Sequence, residues 1–125
     1  ATTDPDMQLA AFCTGPAIRN PFHNIVTEAV GTFMLVFGVM MIVSPQASLG
    51  ALDALPVALL LFGIGLSLGG PTGFAVNPAR DLGPRIMHAI LPMTNKRDSD
   101  WGYAYVPVVG GILGGLIAAV VYSML

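Results

Sequence analysis

The 125-residue sequence is 54% hydrophobic and only 10% charged, with a net charge of −2, whereas an ordinary soluble domain carries about 25% charged residues. Water is a poor solvent for such a surface, and the scarcity of Lys and Arg excludes DNA and RNA as partners. The single cysteine, Cys13, can close no internal disulfide and has no neighbouring Cys/His spacing for a zinc site, so no metal or cofactor is indicated.

Residues 1–23 are polar, turn-rich and begin without Met. They lack the basic start and apolar core of a signal peptide, and read as a connecting loop in a sequence expected to be cut from a longer chain. The segment 24–43 then gives about 20 mostly apolar residues, the length a helix needs to cross the hydrocarbon of a bilayer. Its one charge, Glu28, either belongs to a proton relay or accepts hydrogen bonds from interrupted backbone nearby. With no second acid or lysine at helical spacing, the structural acceptor is favoured. Turn chemistry follows through Ser44-Pro45 and Gly50, and a second apolar helix is expected over 54–69.

The region 70–91 differs from these spans. Gly69, Gly70 and Pro71 argue against helix from Gly70 onward, so the carbonyls of Gly73, Phe74 and Ala75 are expected along an extended strand. Asn77 is then a side-chain cap, Pro78 occupies the first helical position and Pro92 follows the end. Roughly fifteen helical residues at 1.5 Å each reach about 22 Å, short of the ~30 Å hydrocarbon. The segment is therefore expected to dip into the membrane and return. Broken helices at that depth are tolerated where they line a cavity, and Asn77 retains two donors to offer it. Arg80 lies nearly one turn on, facing roughly the same way. It lines water in that cavity, or it pairs with Asp81 or Glu28.

The loop "MTNKRDSDWGY" is the most polar of the chain, with Trp101, Tyr103 and Tyr105 expected in an interfacial belt. A last span covers 103–124, where Gly110 over Gly114 and Gly111 over Gly115 give the small-xxx-small spacing of close helix approach. His23 and His88 read as interfacial or loop residues. Ser67 and Thr72 have no histidine base nearby, so the sequence offers no catalytic residues.

The stretch "GFAVNPARDLGPR", with a span before and after it, resembles the second signature half-helix of the major intrinsic proteins, the aquaporin and aquaglyceroporin channels. Asn77, Pro78 and Ala79 match the NPA motif, followed by Arg80, and Glu28 is similar to a buried glutamate of that family. The resemblance implies an all-α membrane protein: the second inverted repeat of an aquaporin-like bundle, with three transmembrane helices plus one re-entrant half-helix. It also implies an extracellular loop over 1–23, multi-pass insertion in the plasma membrane and a homotetramer of the full-length protein. The missing first half of the channel is a required partner, alongside the bilayer itself. The excess of Lys96 and Arg97 on the side that this orientation places outside runs against the positive-inside rule.

Gly65 stands where water-selective members typically place histidine. Together with Phe74, Asp81, Arg85 and the pair Pro107-Val108 it matches the glycerol-conducting pattern. The implied filter is Gly65, Phe74 and Arg80, and the implied permeants are glycerol, small polyols and some water. A water-selective pore, a coupled transporter and a non-conducting assembly protein are the rival readings.

Overall fold

The computed structural model describes residues 3–42, 48 and 50–125. The expected end of the first span at Val43 and the turn at Ser44-Pro45 lie outside the described residues. Five helices account for most of the rest: α1 (Pro5–Ala10), α2 (Pro21–Ile42), α3 (Ala54–Thr72), α4 (Pro78–Ile90) and α5 (Trp101–Ser123), with a short 3-10 turn at Gly50–Leu52 before α3. Three of them, α2, α3 with its preceding turn, and α5, are long and apolar enough to cross a membrane. At 13 residues, α4 covers about 20 Å and cannot.

α2 is the axis of the assembly, packed on one side by α5 and on another by α3, while α4 leans on α5. Glycine sets the closest of these contacts. A Cβ on Gly110 would lie 2.6 Å from the Glu28 Cβ and 2.9 Å from the Ile25 carbonyl, and one on Gly114 would overlap the Ala29 carbonyl. These two residues form the contact ridge that the spacing implied. The second predicted pair does not form one. Gly111 meets the Pro78 ring, but a Cβ on Gly115 would enter open space, because it stands about 100° around the helix from Gly114 and off the α2-facing stripe.

Much of what the helices bury is polar. Glu28, Thr72, Asp81, Arg85 and His88 are almost fully enclosed, whereas Leu59, Phe62 and Leu66 of α3 are 61%, 65% and 74% exposed. A soluble domain sorts its side chains the other way. In a bilayer, apolar surface has a solvent and the polar groups must find partners inside.

Three expectations are corrected by this fold. α3 does not stop before Gly70 but continues through Pro71 to Thr72, ending where Gly73 turns left-handed at φ 81° and donates to the Gly69 carbonyl at 2.9 Å. A proline in the last turn removes one N–H from a helix that is about to end, so it does not break it. Tyr103 does not sit in an interfacial belt: only 1% of it is exposed, beneath the Arg19 guanidinium at 5.5 Å from the ring centre. His88 is no loop residue but an enclosed side chain of α4, its Nδ1 2.8 Å from the Ser99 hydroxyl. His23 lies in the exposed first turn of α2.

The connecting segment contains α1, capped by the Asp4 carboxylate on the amides of Asp6 and Met7. It is tied across the molecule by the Arg97–Asp6 ion pair.

Candidate functional site

Residues 73–77 link α3 to α4. The link is not an extended strand: Gly73, Phe74 and Val76 have φ values of 81°, 61° and 41°. Glycine accepts this region freely, but each non-glycine residue in it costs of order 1–3 kcal/mol and persists only where neighbours hold it. Glu28 is one such neighbour. Its two carboxylate oxygens accept from the amides of Ala75 at 3.2 Å and Val76 at 2.6 Å. A single buried acid on α2 thus satisfies two donors that neither helix can. Among the described residues, no backbone N–H bonds to the carbonyls of Gly73, Phe74 or Ala75.

The second neighbour is Gly65 on α3. A Cβ there would stand 3.1 Å from Cε1 and 3.3 Å from Cζ of Phe74. The missing side chain is the space the aromatic ring occupies. Even alanine forces the ring to give way, and an imidazole cannot be added without expelling it.

Asn77 caps α4 as its side chain predicts, Oδ1 accepting from the amides of Ala79 at 2.9 Å and Arg80 at 3.4 Å. Pro78 and Ala79 form the first turn, with the Pro78 ring seated on Gly111 of α5. Arg80 is exposed and pairs with neither of the acids considered for it, since Glu28 is taken by the loop amides and Asp81 by another arginine.

That arginine is Arg85. Its Nε donates to Asp81 Oδ2 and its Nη2 to Asp81 Oδ1, both at 2.9 Å. Nη1 reaches the carbonyls of Ser99 at 2.7 Å and Asp100 at 3.0 Å, and Nη2 that of Thr14 at 2.8 Å. Thr14 returns its amide at 2.8 Å and its hydroxyl at 2.5 Å to Asp81 Oδ1. A fully enclosed ion pair with every donor engaged is the one form in which buried charge is well compensated. Pro107 is enclosed within α5.

Sequence reasoning put Asp81 and Arg85 beside the filter but did not see this network, nor Thr14, Ser99 and His88. The signal was present in part. Asp81, Arg85 and His88 stand at i, i+4 and i+7 on one face of α4, while Ile86, Met87 and Ile90 point outward at 41%, 47% and 68% exposure. The half-helix is amphipathic with its polar face inward. Beyond α4, the Lys96 ammonium completes the helix end by donating to the carbonyls of His88, Ala89 and Leu91 at 3.0, 2.8 and 2.9 Å.

Comparison with known proteins gives these features a family context. The family profile described as Major intrinsic protein matches residues 2–122. The chain is 54% identical over 124 residues to a probable glycerol uptake facilitator protein of Thermotoga maritima, covering 99% of this chain and 53% of the relative. It is 50% identical over 125 residues to glycerol uptake facilitator protein 3 of Lactiplantibacillus plantarum, covering 100% of this chain and 52% of the relative. It is 52% identical over 123 residues to the glycerol uptake facilitator protein of Bacillus subtilis, covering 98% of this chain and 44% of the relative. The chain spans about half the length of the curated relatives it matches.

Proposed function

The chain belongs to the major intrinsic protein family, and on that premise we propose that it forms the second half of a passive plasma-membrane channel for glycerol and similar small neutral solutes, with water as a secondary permeant. It is a channel component and not an enzyme. The observation that carries the reading is the contact between Gly65 and Phe74. It supports a filter with an aromatic wall where a histidine would give a narrower, more polar one. A polyol has carbons on one side and hydroxyls on the other. A ring facing the carbons and the Arg80 guanidinium donating to the hydroxyls is complementary to it.

The remaining roles follow the same reading. The free carbonyls of Gly73, Phe74 and Ala75 accept from the solute, and the NH₂ of Asn77 donates to it. Glu28 holds the loop in place. Ions meet Arg80 and a positive helix end without enough ligands to replace their water. The pore wall is completed by a first half of the same protein, and full-length subunits assemble as a homotetramer.

Stopped-flow light scattering on proteoliposomes of the full-length protein tests this. Glycerol flux is expected well above that of empty vesicles, linear in the solute gradient and indifferent to ion or proton gradients. Flux equal to the empty-vesicle rate would sink the reading, and saturation with ion coupling would point to a transporter. Gly65→His is expected to lower glycerol permeability by about tenfold or more, ~1.4 kcal/mol at the barrier, while water flux persists.

A further inference from the structure

The filter proposed above has two walls on different pieces of backbone, Phe74 after α3 and Arg80 on α4, and the segment before α2 touches the neighbour of each. On the α4 side, the Thr14 hydroxyl and amide both end on Asp81 Oδ1, at 2.5 and 2.8 Å, one residue from Arg80. Arg85 closes the ring by donating to the Thr14 carbonyl at 2.8 Å. On the α3 side, the next residue, Gly15, lies close beside the turn. A Cβ on Gly73 would meet the Gly15 carbonyl at 3.0 Å, the Gly15 nitrogen at 3.2 Å and the Thr14 Cβ at 3.2 Å. Two residues further, the Ala17 amide donates to the Pro71 carbonyl at 3.1 Å. Thr14 itself is 5% exposed.

We propose that residues 14–17 are a brace fixing the separation between Phe74 and Arg80, and that Thr14 is the positioning residue through which the connecting segment sets the size of solute admitted. The inference rests on the glycerol-channel reading. Its physical basis is that neither wall is held by its own element alone. Phe74 sits in a left-handed conformation at φ 61° that needs external support. Arg80 has no ion pair among the described residues and takes its position from the turn that Asp81 anchors. A hydroxyl bound to a carboxylate is a short, directional, charge-assisted contact, so its loss is expected to let α4 and the turn move relative to one another before it unfolds either.

The test compares the full-length protein with its Thr14→Val and Thr14→Ser variants in proteoliposomes, measuring permeability to glycerol and to the larger polyols erythritol and ribitol. The readout is the glycerol-to-ribitol ratio, which does not depend on how many channels are folded. Thr14→Val is expected to change the ratio by about threefold or more, and Thr14→Ser, which keeps the hydroxyl, to restore it. If Thr14→Val does not assemble, Thr14→Ala carries the same prediction without the added branched methyl. Wild-type flux intact with an unchanged ratio in the hydroxyl-free variant, whatever its absolute flux, overturns the brace and leaves the channel reading standing. Wild-type glycerol flux no faster than empty vesicles overturns both.

Discussion

Buried polar side chains in this structure sit where they find partners, with the Thr32 and Tyr103 hydroxyls and His88 Nε2 as exceptions among the described residues. Asp81 and Arg85 show the rule at its strongest, since both are wholly enclosed and each neutralises the other. Asp81→Ala leaves a guanidinium buried without its counter-charge, and a loss of about 3–5 kcal/mol is expected. Thermal unfolding in detergent should show it, and the double variant Asp81→Leu/Arg85→Met should stay well below wild type, because it leaves the Thr14 amide and hydroxyl and the carbonyls of Thr14, Ser99 and Asp100 without partners. Glu28→Gln replaces one accepting oxygen by a donor facing an amide, for which a cost of about 1–3 kcal/mol is expected in the same assay. Cys13 is buried in the connecting segment, and that burial pushes its thiol pKa upward. The thiolate is the reactive form, so maleimide labelling at neutral pH should be slow in the folded protein and rapid after unfolding. Fast labelling of the native protein would contradict the enclosed position.

At the scale of elements, close packing in lipid replaces the hydrophobic drive that holds helices together in water. Gly110 and Gly114 let the α5 backbone lie against α2, and no flexible side chain is available there to move aside: the neighbours of Gly114 are the Ala29 carbonyl, the Phe33 amide and the Thr32 Cβ. Gly114→Ala is expected to destabilise by about 1–3 kcal/mol through overpacking. Gly115→Ala, one position on and facing open space, should leave the melting temperature unchanged. Equal effects at the two positions would show that general glycine content, and not this ridge, matters. The half-helix obeys a different logic, carrying Asp81, Arg85 and His88 inward and its apolar residues outward. Its inner face binds the polar segments before α2 and before α5, so a charged stripe organises both loops.

For the whole molecule, the telling feature is how little of α3 is covered: only 6% of its apolar window is buried inside the structure. Asn77 and Arg80 are likewise exposed. Reconstituted alone, the 125 residues are therefore expected to carry glycerol no faster than empty vesicles, and co-expression with the complementary half of the channel should restore flux. Selective conduction by the fragment on its own would overturn the half-channel reading.

By itself the sequence determined the solvent of this protein and the order of its spans and half-helix, though not the short helix α1. Twenty-residue apolar runs have one physical use, and a side-chain cap followed by Pro78 with Pro92 beyond it leaves room for a helix too short to span. It also determined the donor–acceptor problem that Glu28 answers, because a lone carboxylate at that depth needs partners. Only the tertiary structure decided which polar groups meet. That Arg80 stays unpaired while Arg85 takes Asp81, and that Thr14 reaches the same carboxylate from 67 residues away, both depend on distances between segments. Local propensity carries no information about those distances. They are set by where glycine allows backbones to approach, and by the cost of leaving an enclosed charge without its partner.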